Sequence, residues 1–239
     1  MTSASGSAAS VTAPSRYLLE KMSPYRPDIQ LIPNGLDVSA YTPRLARPAG
    51  PSMVWLRAFH QIYNPELAVE VLARIRRDFP EARLTMVGPD TGDGSLDHTR
   101  SAARRLEVED RVEFTGGVPK RDVPRWLQKG DIFLNTTNVD NTPTSVLEAM
   151  ASGLCVVSTN VGGLPYLLDS GEDALLVEPD DVDAMAGAVR TILTDAALAS
   201  KLSRAAGEKA RNTDWSVVLP RWEALLASVA RRDQEPTPC

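Results

Sequence analysis

The segment Ile132-Phe-Leu-Asn135-Thr-Thr-Asn-Val-Asp140-Asn-Thr-Pro-Thr-Ser145-Val-Leu-Glu148-Ala-Met-Ala-Ser-Gly153-Leu-Cys-Val-Val157 holds all three parts of one βαβ unit. Ile132-Phe133-Leu134 is apolar without interruption, as expected of a parallel strand covered on both faces. A polar loop follows, and a helix opens near Pro143 or Thr144. Proline suits a first helical turn, and Asn141 or Thr142 is suited to cap it. Val146, Leu147 and Met150 form the apolar stripe of that helix, and a second apolar run, Leu154–Val157, comes after it.

The same alternation extends outward in both directions. Further short apolar runs stand at Met53–Leu56, Leu84–Val87, Val112–Phe114 and Ala174–Val177. Leu67, Val71, Leu72 and Ile75 make one helical stripe between them, Val123, Trp126 and Leu127 a shorter one, and Met185, Val189 and Ile192 another. Strands alternating with helices predict an α/β fold, a parallel sheet with helices on both faces. Two further helices are expected at Leu198–Ala210 and from Trp215 to Val229, and one near the start, Ser15–Met22. Ile29–Ile32 reads as a short extended run ending in the turn Pro33-Asn34-Gly35. Residues 37–52 contain prolines and little apolar periodicity, and read as a linker.

The 239 residues are 43% hydrophobic and 24% charged, enough apolar content for a sizeable core in a soluble globular chain. Against 31 Asp+Glu stand 26 Lys+Arg, a net charge of −5 that argues against nucleic acid as a partner. The two cysteines, Cys155 and Cys239, cannot build a disulfide framework or a zinc site, and Cys155 in its apolar run fits a buried thiol of the cytosol. No stretch has the roughly 18 apolar residues of a membrane span. The opening MTSASGSAAS has no apolar signal core and reads as a disordered polar leader over residues 1–11.

In open parallel sheets ligands sit at the carboxyl ends of the strands, so the loops after residues 57, 88, 116, 137 and 159 are the places to look for chemistry. The 135–145 loop runs into a helix start whose free amides, beside small hydroxyl side chains, suit a diphosphate. Glu148, one turn further on, has the placement of a carboxylate that receives a pair of sugar hydroxyls; the alternative is a plain capping loop with Glu148 favouring the helix dipole.

Several motifs in order resemble the group 1 glycosyltransferases (glycosyltransferase family 4). Asp140 and Glu148 have the separation of that family's paired carboxylates, and Glu148-Ala-Met-Ala-Ser-Gly153 matches the second half of the motif. The likeness continues through Cys155–Gly163 and Asp173–Asp180, and upstream through Ile32-Pro-Asn-Gly-Leu-Asp37, Leu84–Gly88 and Val112–Gly116. It covers roughly residues 12 to 230. It implies a Rossmann-like domain, the C-terminal half of a GT-B glycosyltransferase, transferring a hexosyl group from a nucleotide-diphosphate sugar with retention of configuration. Carried over by position, Glu148 would hold the ribose, Asp140 the donor sugar, and Asn141, Thr142, Thr144 and Ser145 the diphosphate. Arg57 would pair with the phosphates, and the backbone of Gly116, Gly117 and Val118 would meet the base. Arg57 and Asp140 would be the catalytic pair. No metal and no further cofactor are expected, because the family uses cationic side chains and helix N-termini.

Under this resemblance the chain divides into the leader 1–11, a remnant of an N-terminal domain at 12–36, the linker 37–52, the donor domain 53–213, a C-terminal helix 214–232 and a tail 233–239. The implied partners are the nucleotide sugar and either a separate chain supplying the acceptor domain or a second copy of this one, with peripheral membrane contact left open. Tyr17, Leu18 and the Trp215–Trp222 helix would then be covered by a partner, or the helix would pack on the chain's own sheet. Alternatives to the enzyme half are a non-catalytic nucleotide-sugar-binding module and a structural protein with a vestigial pocket; a retained Arg57 and Glu148 disfavour the last. Departures from the family pattern are Ile62 where a lysine is usual, Asp140 for glutamate, and Tyr166 for glutamate, which reads equally as packing or as a sugar contact. His60 is the nearby residue able to replace the missing cation, against a structural role.

Overall fold

The computed structural model describes residues 8–43 and 50–232. Residues 1–7 of the expected leader, 44–49 of the linker, the tail 233–239 and Cys239 lie outside the described residues. The expected strands form one six-stranded parallel sheet: β3 (Ser52–Leu56), β4 (Arg83–Val87), β5 (Val112–Gly116), β6 (Ile132–Asn135), β7 (Cys155–Thr159) and β8 (Ala174–Val177). Two short strands precede them, β1 (Thr12–Ala13) and β2 (Gln30–Leu31), which pair in parallel as a separate sheet around α1 (Arg16–Met22).

Alternation of side chains assigns each strand residue to one of two cores. Met53, Trp55, Leu84, Met86, Ile132, Leu134 and Val157 face one layer, against α2 (Pro65–Ile75), α3 (Ser95–Arg105) and α7 (Val182–Thr194). Val54, Val87, Phe133 and Val156 face the other, against α4 (Val123–Leu127) and α5 (Thr144–Ala151). Helix α8 (Ala196–Arg211) straddles both, giving Ala199 and Leu202 to the first layer and Ala206 and Ala210 to the second. A short α6 (Leu164–Leu167) follows β7.

Helix α3 has no counterpart among the predicted stripes. Its buried face is Ser95, Thr99, Ala102 and Ala103, too small and polar to register as an apolar stripe. The expected cap of α5 is also corrected. Pro143 holds the N-cap position without a side-chain bond, while Asn141 Oδ1 accepts from the Ser15 hydroxyl, which itself caps α1.

The strand order is β5-β4-β3-β6-β7-β8. The chain builds outward from β3 in one direction, then returns beside β3 with β6 and builds in the other. Consecutive crossovers therefore diverge between β3 and β6, and a crevice opens at their carboxyl ends. The final helix, α9 (Trp215–Arg232), lies away from this sheet: Val218, Trp222 and Leu225 pack on Ile32, while Trp215, Leu219 and Leu226 stay exposed. The two passes of chain leading to and from the main sheet run side by side. Leu36 N donates to Thr213 O at 2.8 Å, and Trp215 N to Leu36 O at 3.1 Å. Among the described residues no helix is long and apolar enough to cross a membrane.

Candidate functional site

Arg57 leaves the end of β3 on one side of the crevice. Its backbone is tied to the neighbouring strand, with Arg57 N donating to Val87 O at 3.0 Å. Gly88 lets that approach happen: a Cβ there would fall 1.7 Å from the Arg57 carbonyl oxygen. The guanidinium lies over the Tyr63 ring, 4.3 Å from its centroid, and pairs through Nη2 with Oδ2 of Asp140. The Asp140 loop is placed in turn by the turn after β7. Gly163 N donates to Asp140 O at 3.0 Å, and a Cβ at Gly163 would fall 1.8 Å from Asn141 O.

Glu148 comes up from one turn into α5 and is almost wholly buried, 2% exposed. A buried carboxylate needs hydrogen-bond partners, and two donors meet it. The Tyr41 phenol donates to Oε1 at 2.5 Å, and the Lys120 ammonium reaches the same oxygen. Burial first, and then the bond to Glu148, push the Tyr41 phenol well above its ordinary range, so it remains a protonated donor.

A cavity of about 260 Å³ joins the two sides. Arg57, Val118, Lys120, Thr144, Ser145 and Glu148 are among its lining residues. Of the residues singled out in the sequence, Arg57, Val118, Thr144, Ser145 and Glu148 therefore meet in one crevice, with Asp140 bound to Arg57. Gly116, Gly117, Asn141 and Thr142 do not line it. Asn141 is held by Ser15, and Thr142 faces a second hollow of about 420 Å³ beside Pro14, Arg16 and Tyr166.

Among the described residues, the buried side-chain polar atoms with no hydrogen-bond partner are Arg57 Nε, Asn138 Oδ1, Thr142 Oγ1 and Ser145 Oγ. Such atoms are costly and uncommon in folded proteins. Two of them, Arg57 Nε and Ser145 Oγ, belong to residues that line the crevice. Among the described residues no three His, Cys, Asp or Glu side chains gather to hold a metal ion.

His60 and Tyr166 have structural partners. The His60 Nδ1 accepts from Ile62 N at 3.1 Å and caps the short turn Gln61–Tyr63. Tyr166 donates to Glu20 Oε2 at 2.7 Å and its ring lies 5.9 Å from that of Tyr17, which is the packing alternative. The second cation of the crevice is Lys120, which sequence inspection passed over together with Tyr41 and Tyr63. Lys120 stands only two residues beyond Val118; nothing local marks Tyr41, whose partner is 107 positions away.

A family profile described as "Glycosyl transferases group 1" matches residues 50–195, more than half of the chain. The chain belongs to the group 1 glycosyl transferases. Among curated group 1 relatives, glycogen synthase of Mycobacterium tuberculosis (H37Rv) is 27% identical over 224 residues, covering 92% of this chain and 53% of the relative. A GDP-mannose-dependent alpha-(1-6)-phosphatidylinositol monomannoside mannosyltransferase of the same organism is 28% identical over 219 residues, covering 84% and 54%. The chain thus spans about half the length of these relatives. Among solved structures, Anabaena Alr3699/HepE in complex with UDP superposes with a TM-score of 0.83 at 19% identity, over 92% of this chain and 64% of that one. The fold is accordingly the Rossmann-like α/β domain of GT-B glycosyltransferases.

Proposed function

We propose that this group 1 chain holds the nucleotide-diphosphate sugar of a glycosyl transfer, with the diphosphate between Arg57 and the start of α5 and the ribose on Glu148. The observation that supports this is the set of unpartnered atoms. Arg57 Nε and Ser145 Oγ are buried hydrogen-bonding groups on opposite sides of one crevice, left waiting for a ligand rich in acceptors. A guanidinium forks two phosphate oxygens, and the uncapped amides at the head of α5 add donors along the helix axis. Charge grows on the diphosphate as the bond to the sugar breaks, so donors fixed around it favour the transition state over the bound substrate. In this proposal Asp140 exchanges Arg57 for hydroxyls of the donor sugar, transfer proceeds with retention, and the acceptor is held by a second domain or chain facing the crevice.

The mannosyltransferase relative is named for a GDP sugar and the structural neighbour is in complex with UDP, so UDP, GDP and ADP are the probes. At 100 times its Kd a ligand adds about 2.7 kcal/mol. For a chain of this size the melting temperature should rise by roughly 5–10 °C with one of the three. Melting curves unmoved by millimolar amounts of all three would rule the proposal out.

A further inference from the structure

We infer that Tyr41 is a positioning residue of the nucleotide site: its phenol fixes the Glu148 carboxylate for the ribose diol and so makes the site select ribonucleotides over 2′-deoxyribonucleotides. This rests on the proposed placement of the ribose at Glu148.

Tyr41 belongs to the stretch that links the β1–β2 unit to the main sheet, far from Glu148 in sequence. Its ring is 6% exposed and packed in the second core with Leu36, Val54 and Leu147. The stretch before it is anchored as well, with Val38 N donating to Asp214 Oδ2 at 3.0 Å. The phenol oxygen is therefore held on a rigid ring with few torsions to lose. The other donor to Glu148, Lys120, has a side chain 66% exposed, a long flexible stem and an ammonium open to water. A cation held by so mobile and solvated a stem constrains the carboxylate less than the buried phenol does.

Both donors fall on Oε1, and among the described residues nothing donates to Oε2. Tyr41 thus holds Oε1 and leaves Oε2 without a protein donor, in a side chain that lines the cavity. A vicinal diol presents two donors at fixed spacing. It gains from a carboxylate held in register with it, whereas a 2′-deoxyribose offers one donor and loses the benefit of the second. Without the phenol, Glu148 would rotate, follow Lys120, or meet the diol at the cost of ordering itself on binding.

The experiment is titration calorimetry of the chain with UDP, GDP and ADP and with the 2′-deoxy form of each. The wild type should prefer the ribonucleotide of the base it binds by about tenfold, the scale of one hydrogen bond to a charged group. Tyr41→Phe keeps the ring and removes the donor. It should weaken the ribonucleotide about fivefold to tenfold and leave the deoxy form nearly unchanged, bringing the ratio close to one. An unchanged ratio in Tyr41→Phe overturns the inference while the donor site stands. A wild type that binds no ribonucleotide at all brings down the donor site and this inference with it.

Should the single variant fail to fold, Tyr41→Phe combined with Glu148→Gln removes the carboxylate left short of a donor. Its ratio should equal that of Glu148→Gln alone, because Tyr41 acts through that carboxylate. A further drop in the combined variant overturns the inference by showing that Tyr41 reaches the ligand another way.

Discussion

Arg57→Ala should weaken binding of the nucleotide diphosphate by about 100-fold, or ~3 kcal/mol. Two charge-assisted bonds from a guanidinium to phosphate are worth ~1.5–3 kcal/mol each. Part of that gain is spent in advance, because Arg57 must first leave Asp140. The substitution has a second cost: Asp140, relieved of its partner, would stand as a bare negative charge beside an arriving dianion. Arg57→Lys keeps the charge but not the fork, and should fall between wild type and alanine. Asp140→Asn has the opposite sign. It frees Arg57 while retaining an oxygen for the bond from Asn141 N, so a nucleotide diphosphate without its sugar should bind a few-fold more tightly. Calorimetric titration reads all three; Arg57→Ala within twofold of wild type would remove the guanidinium from the site.

Gly163→Ala should be costly although the change in the turn after β7 is a single methyl. The backbone there is ordinary right-handed, φ −86° and ψ −6°, so alanine meets no conformational penalty. The whole cost comes from a methyl placed 1.8 Å from Asn141 O, against backbone that is bonded to the same turn. Overpacking of this severity costs ~3 kcal/mol, lowering the melting temperature by roughly 6–12 °C in a chain this long. If the loop yields instead, the head of α5 that follows it is displaced and nucleotide binding falls. Gly187→Ala in α7 is the matched control: nothing lies within 4 Å of the new methyl, and a helical interior gains ~0.5–1 kcal/mol. Equal melting temperatures for Gly163→Ala and wild type would show that the turn does not hold the loop.

The central strands were legible because they are buried on both faces, so Met53–Leu56 or Ile132–Leu134 shows its place without any partner in view. Helix α3 was not, since Ser95, Thr99, Ala102 and Ala103 pack by being small, which leaves no apolar signature. In the site, Arg57 and Glu148 could be picked out because each follows a readable element, one at a strand end and one a turn into a helix. Lys120 and Tyr41 could not, because their meaning lies in a shared oxygen of Glu148 that the fold alone brings to them. Asn141 shows the same limit from the other side. Its position fits a helix cap, but Ser15, 126 residues earlier, captures its side chain.

In the proposed donor site the Arg57–Asp140 pair would be a way of refusing the wrong visitor. Inorganic phosphate competing for the guanidinium must evict a carboxylate and sets its own negative charge beside it. A ligand that carries hydroxyls next to its phosphates settles both partners at once. With the proposed ligand, discrimination against the abundant small anions of a cell would thus precede its arrival, as a contact the protein makes with itself.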